Sequence, residues 1–302
     1  MASSRVGASS AHFHEGLNPR PAGLTFLSGV ASLLDENRTR GGRMKTLITT
    51  AIIVLVWSIP ALAEVRTQTV EYKHGDAVLE GYLAYDDAAK GKRPGVLVIH
   101  EWWGINDYTR GRTRQLAEMG YVAFAADMYG KGVRAANPTD AGRLAGTYVK
   151  DRKLLRARVN AGLDLLKRQQ FTDPQRIAAI GYCFGGTTVL ELARSGADIA
   201  GVVSFHGGLD TPDPNDAKNI KAKVVVLHGA DDPYVPANQV LAFVDEMRKA
   251  GVDWQLVMYG GAVHSFTNPD AGNDPSKGAA YNEKADRRSW RAMKDFFGEI
   301  FK

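Results

Sequence analysis

The 302-residue sequence contains a single cysteine. No internal disulfide can form, so a buried core must hold the fold together. No apolar run reaches the roughly 20 residues needed to cross a bilayer; the greasiest stretch, residues 47–59, is well short of that. Basic residues do not cluster with interleaved aromatics, which argues against nucleic acid as a partner. No histidine and acid spacing matches a metal-ligand signature, so neither a metal nor another cofactor is expected. Internal repeats and low-complexity linkers are also missing, which points to one folded domain rather than an array.

What is present is an ordinary globular balance, 44% hydrophobic and 24% charged residues, with a formal net charge of +5. Part of that charge belongs to the amino-terminal region: residues 64–302 hold 32 basic against 30 acidic residues. Met44-Lys45, the apolar run to Ile59 and the ending Pro60-Ala61-Leu62-Ala63 have the form of a secretory signal over residues 44–63, cleaved after Ala63. The expected product is exported, periplasmic and not held in the membrane. Residues 1–43, rich in Ser, Gly, Ala and Arg, read as an unstructured leader. One hypothesis makes Met44 the true initiator, with Arg40-Gly41-Gly42 encoded by a purine-rich ribosome-binding site. The nucleotide sequence decides that point.

From residue 64 onward, strands and helices alternate. Strands are predicted over 65–72, 78–85, 95–99, 121–126, 177–182, 199–205, 223–227 and 254–259. Helices are predicted over 108–119, 186–194, 236–249 and 281–297, with a long helical stretch over 139–168 broken near Gly146. Apolar strands separated by helices predict a mostly parallel sheet covered on both faces. Chemistry in such sheets gathers at the carboxyl ends of the strands.

Three of those ends carry unusual residues. The strand ending at Tyr182 runs into Cys183-Phe184-Gly185-Gly186 and then a helix. A nucleophile there sits on a strained strand-to-helix turn, and the helix amino terminus favours thiolate. Gly-x-Ser-x-Gly, the usual form of this turn, occurs nowhere in the chain. The strand ending at Leu227 leads to Asp231 and Asp232; Asp232, just before Pro233-Tyr234-Val235-Pro236, is the favoured orienting acid and Asp231 the alternative. The last strand leads through Gly260-Gly261 to His264. The order Cys, Asp, His is that of the α/β-hydrolase fold. His100, His206 and His228 stand at further strand ends, where hydrogen bonds to backbone are expected. The His100-Glu101-Trp102-Trp103-Gly104 loop follows another strand. It places the backbone N–H of Trp102, with that of Phe184, as the expected oxyanion donors.

These segments together resemble the dienelactone hydrolase (carboxymethylenebutenolidase) family over residues 65–302. Gly181-Tyr182-Cys183-Phe184-Gly185-Gly186, His100 to Asn106, Ala126 to Gly130, Asp232 with Val235-Pro236, and His264-Ser265-Phe266 carry the resemblance. It implies a lidless α/β-hydrolase that opens a lactone with Cys183, His264 and Asp232. It also implies that Glu101 contacts the resting thiol and swings away as a switch. A branch of the family binds the substrate carboxylate with an arginine shortly after the histidine; Asn268 stands there in this sequence, and Arg152 and Arg156 are the candidates for a second arginine. Trp103, Tyr129 and Phe266 are the expected pocket walls, beside Trp102.

A small ester or lactone is the expected substrate and a monomer the expected state. A carboxylesterase acting on neutral esters is the nearest alternative. A non-catalytic binding protein and a thiol sensor on the same scaffold are the others; the sensor would lack a resolving cysteine.

Overall fold

The computed structural model describes residues 64–302; the leader and signal expected over 1–43 and 44–63 lie outside the described residues. Strands β1 (Val65–His74) and β2 (Ala77–Asp86) form an antiparallel hairpin. Then follow β3 (Arg93–Ile99), helix α1 (Asp107–Glu118) and β4 (Val122–Ala126). Helices α2 (Pro138–Lys150) and α3 (Arg152–Lys167) precede β5 (Thr172–Tyr182), α4 (Phe184–Arg194) and β6 (Gly201–Phe205). The chain closes with β7 (Lys223–Gly229), α5 (Ala237–Ala250), β8 (Trp254–Tyr259) and α6 (Glu283–Ile300).

The eight strands form one sheet in the order β1-β2-β4-β3-β5-β6-β7-β8. β2 pairs antiparallel with β1 and β4, and every pairing from β4 to β8 is parallel. Strand alternation divides the core in two. Leu97, Ile99 and Ala179 face one layer with Leu155, Val159 and Val189 of α3 and α4. Val96, Val98 and Ile180 face the other, with Leu116 of α1 and Met293 and Phe297 of α6. Burial on both faces explains why these strands read as continuous apolar runs rather than alternating ones.

The register is what assembles a site. Ile99 lies beside Gly181, Tyr182 beside Phe205, Phe205 beside Leu227, and Gly229 beside Tyr259. The residues that follow these strand ends therefore emerge along one edge of the sheet.

Some boundaries differ from expectation. The long helical stretch breaks at Asp151, not near Gly146, which lies inside α2. The Asp151 side chain accepts a 2.9 Å bond from the Leu154 N–H and caps α3, and a cap of this kind outweighs one interior glycine. Helix α4 begins at Phe184 rather than residue 186, directly after the cysteine. Strand β5 begins at Thr172, where Thr172 and Asp173 pair with Arg93 and Pro94 before a register shift.

Candidate active site

Cys183 is the hinge between β5 and α4. It has φ +53° and ψ −116°, a conformation that costs a non-glycine residue about 1–3 kcal/mol. The surrounding glycines make the turn possible. A Cβ on Gly181 would lie 2.0 Å from the Gly185 carbonyl oxygen, and one on Gly185 would lie 2.2 Å from that of Ile99. Both approaches are far inside contact distance, so the turn packs against itself and against β3. The Cys183 N–H reaches the Phe205 carbonyl at 3.0 Å and His206 Nδ1 at 3.1 Å. As the first residue of α4, Phe184 has an N–H with no acceptor inside the helix.

Asp232 and His264 arrive from β7 and β8. His264 Nδ1 donates to Asp232 Oδ2 at 2.8 Å, and the other Asp232 oxygen accepts from the Tyr234 N–H at 2.9 Å. Asp231 instead accepts from the Gly261 N–H at 3.0 Å and steadies the turn before the histidine. With Nδ1 spent on Asp232, the remaining ring nitrogen is left for the sulfur. Burial disfavours the His264 cation, yet the charge of Cys183 and the hydrogen bonds of Asp232 and Cys183 outweigh it, holding His264 well above the ordinary histidine range. The arrangement favours a protonated imidazole held by Asp232.

Glu101 is 2% exposed. Its oxygens accept from Ser265 Oγ at 2.9 Å and Asn268 Nδ2 at 2.6 Å. Burial pushes this carboxyl up, and those two donors oppose the shift. The expected contact with the thiol is not among its hydrogen bonds: two donors from the His264 loop draw the acid aside. Ser265, at φ +53°, takes the strain of presenting its hydroxyl there.

The other strand-end histidines divide. His100 Nδ1 donates to the Glu101 carbonyl at 2.5 Å, and its Nε2 accepts from the Met128 N–H at 3.3 Å. His206, with φ +41°, accepts from Cys183 and reaches Thr267 Oγ1 at 2.6 Å through Nε2. Both meet the expectation of backbone bonding. His228 does not: its Nδ1 is buried without a hydrogen-bond partner among the described residues.

All three are held below the ordinary histidine range, primarily by burial, with His100 pushed down to about 4. A histidine whose folded pKa is depressed leaves the unfolded chain binding more protons below about pH 6.5. Stability should therefore be full above that pH and fall toward pH 4, with His100 alone contributing roughly 3 kcal/mol. Glu101 and Asp286, raised by burial, act in the opposite sense. The measurement is therefore a comparison of urea midpoints from pH 7 to 4.5 for the protein and its His100→Asn variant. A shallower acid decline is expected in the variant, and parallel curves would refute the assignment.

A cavity of about 480 Å³ opens over Cys183, His264 and Glu101. Trp102, Trp103 and Tyr234 supply aromatic walls, and Asn106, Ser265, Asn268 and Asp270 supply polar ones. Ala271 and Ala279 complete the lining.

Four of the expected pocket residues lie elsewhere. Phe266 is fully buried behind the site, its ring 5.1 Å from that of His206. Tyr129 packs beneath the loop after β3, and its hydroxyl donates to the Trp102 carbonyl at 3.0 Å, bracing the loop from behind. Arg152 is paired with Asp210 at 3.0 Å, and Arg156 with Glu191 and Asp216 at 2.7 Å each. Both arginines are drawn to acids beside α3 and do not line the cavity. Conversely, Tyr234, Asp270, Ala271 and Ala279 are cavity residues the sequence did not point to. Tyr234 had a signal in its place after Asp232, whereas the other three lie in the aperiodic β8–α6 connection, which offers none.

The profile of the dienelactone hydrolase family matches residues 79–301. The crystal structure of P91, described as a dienelactone hydrolase-like promiscuous phosphotriesterase from metagenomic libraries, is 42% identical. It covers 79% of this chain and 99% of its own, with a TM-score of 0.76. Protein usf of Aquifex pyrophilus is 33% identical over 205 residues, 67% of this chain and 87% of that protein. Est1E from Butyrivibrio proteoclasticus, at 17% identity and a TM-score of 0.55, shares the fold, with 77% and 98% coverage. With the parallel sheet, the strained turn and the strand-end residues in place, the chain belongs to the dienelactone hydrolase family and is a hydrolase.

Proposed function

We propose that the protein hydrolyses a small ester or lactone through a thioester formed on Cys183. The observation that carries this reading is the convergence of Cys183, Asp232 and His264 from the ends of β5, β7 and β8, beside a cavity large enough for a small molecule. The Cys183 sulfur attacks the substrate carbonyl carbon, and the carbonyl electron pair moves to oxygen. The N–H groups of Phe184 and Trp102 are the donors for that oxyanion. Collapse expels the alkoxide, which takes the His264 proton; a lactone keeps this alcohol in the acyl chain. Water then gives a proton to His264 and attacks the thioester, releasing acid and thiolate. Asp232 orients the ring and stabilises its cation.

Glu101 fits the role of a switch. Turned toward Ser265 and Asn268, it leaves the sulfur to His264 alone. The similarity to P91, described as a promiscuous phosphotriesterase, supports phosphotriesters as a second substrate class. The segment over 44–63 supports action outside the cytoplasm.

The test is rapid mixing with p-nitrophenyl acetate followed by acid quench. We expect a burst of p-nitrophenol near one per chain, and a single acetyl group recovered on the peptide containing Cys183. Steady turnover with no trapped acyl group at any time would remove the covalent mechanism.

A further inference from the structure

The cavity over Cys183 has a charge asymmetry. Its lining includes the acids Glu101 and Asp270 but no lysine or arginine. Asn268 links the two acids: its Nδ2 donates to Glu101 at 2.6 Å, and its Oδ1 accepts the Asp270 N–H at 2.9 Å. Of the nearby cations, Arg112 is committed elsewhere and Arg134 stands outside the lining. Arg112 approaches the same loop from behind and donates to the Thr267 carbonyl and to Asp286. Arg134 packs against Gly104 outside the lining and donates to the Val133 carbonyl. His264 is already paired with Asp232 through Nδ1 at 2.8 Å. Apart from the neutral polar side chains of Asn106 and Ser265, the remaining walls are aromatic or small and apolar. A substrate carboxylate would lose water on entering and find no lysine or arginine to pair with, while Asp270 presents like charge at the rim.

We infer that this pocket selects substrates without negative charge, with Asp270 as the specificity-determining residue at its rim. The inference takes its location from the cysteine-hydrolase reading but is tested apart from it. Asp270 is exposed, so its repulsion should be screened by salt, as surface charges are.

Cys183, the sole cysteine, provides a readout that needs no turnover. Its alkylation by neutral iodoacetamide and by anionic iodoacetate is compared with that of N-acetylcysteine at low ionic strength. The protein should favour iodoacetamide by about tenfold more than the free thiol does, and the excess should shrink toward 1 M salt, where the Debye length is about 3 Å. Asp270→Arg should remove or invert the excess and Asp270→Asn should reduce it, so that failure of one variant to fold leaves the other as a test. Selectivity equal to that of the free thiol, or unchanged in both variants, would overturn the inference. In parallel, p-nitrophenyl propionate and p-nitrophenyl hemisuccinate should differ in kcat/KM by about tenfold or more in favour of the neutral ester. Esters turned over without that preference refute the charge selection alone. Charge-selective alkylation without turnover of either ester refutes the hydrolase mechanism and leaves the selection standing.

Discussion

Replacing Cys183 by alanine should lower kcat/KM on activated esters by about 10⁴-fold or more while leaving the fold intact. A loss of that size corresponds to about 5.5 kcal/mol of transition-state stabilisation. On the proposed mechanism it follows from removing the atom that bonds to the acyl carbon, with His264 and the backbone donors left in place. Other triad enzymes retain weak catalysis from the oxyanion donors and binding alone, so residual activity above the uncatalysed rate is expected. Alanine meets the same backbone strain as cysteine at φ +53°, and the half-buried side chain is small, so the unfolding midpoint should barely move. His264→Ala should be comparably severe. The double variant should be little worse than either single one, because the groups act as a unit. Purified Cys183→Ala retaining most of the activity would eliminate the nucleophile assignment, and additive losses in the double variant would contradict the paired role of the two residues.

The second large effect lies away from the cavity. Arg194, at the end of α4, is fully buried. It grips Glu246 of α5 through two 2.8 Å bonds, Glu191 at 3.0 Å and the Leu209 carbonyl at 3.1 Å. Arg156 of α3 completes the cluster on Glu191. Removing one member of such a buried set strands its partners. Arg194→Met should therefore destabilise the protein by about 3–5 kcal/mol, mainly through Glu246 left without its counter-ion. In a domain of this size that is a fall on the order of 10 °C in Tm. Arg194→Met/Glu246→Met should recover part of the loss, because both charges leave together. Denaturant midpoints of the three proteins measure this. A double variant less stable than Arg194→Met would show that the cluster acts through packing and not through stranded charge.

The same cluster shows why sequence reading misplaced two arginines. Arg152 and Arg156 were assigned to substrate because the family resemblance calls for cations in this helical region. Whether such a side chain faces a ligand or an internal acid depends on what lies across the interface. Asp210, Asp216 and Glu191 are 35 to 60 residues further along the chain, with no local pattern tying them to α3. Phe266 and Tyr129 fail for a related reason: an aromatic near a strand end can turn toward the cavity or behind it, and the choice is made by packing against His206 or beneath Trp102. Asp151, by contrast, was legible in principle, since a capping acid acts on its own neighbours.

What the sequence determined by itself is the set of features carried by local physics. Continuous apolar runs specify strands buried on two faces. Gly181 and Gly185 permit the turn that presents Cys183, and the order in which Cys183, Asp232 and His264 follow their strands is written along the chain. What only the tertiary structure decided is which side chains meet: that Asp232 rather than Asp231 reaches His264, that Glu101 rests on Ser265 and Asn268, and that the cavity lining includes two acids but no lysine or arginine. Sheet register and loop packing set those distances between residues far apart in sequence, and burial raises the energetic weight of each pairing because water no longer competes for the same groups.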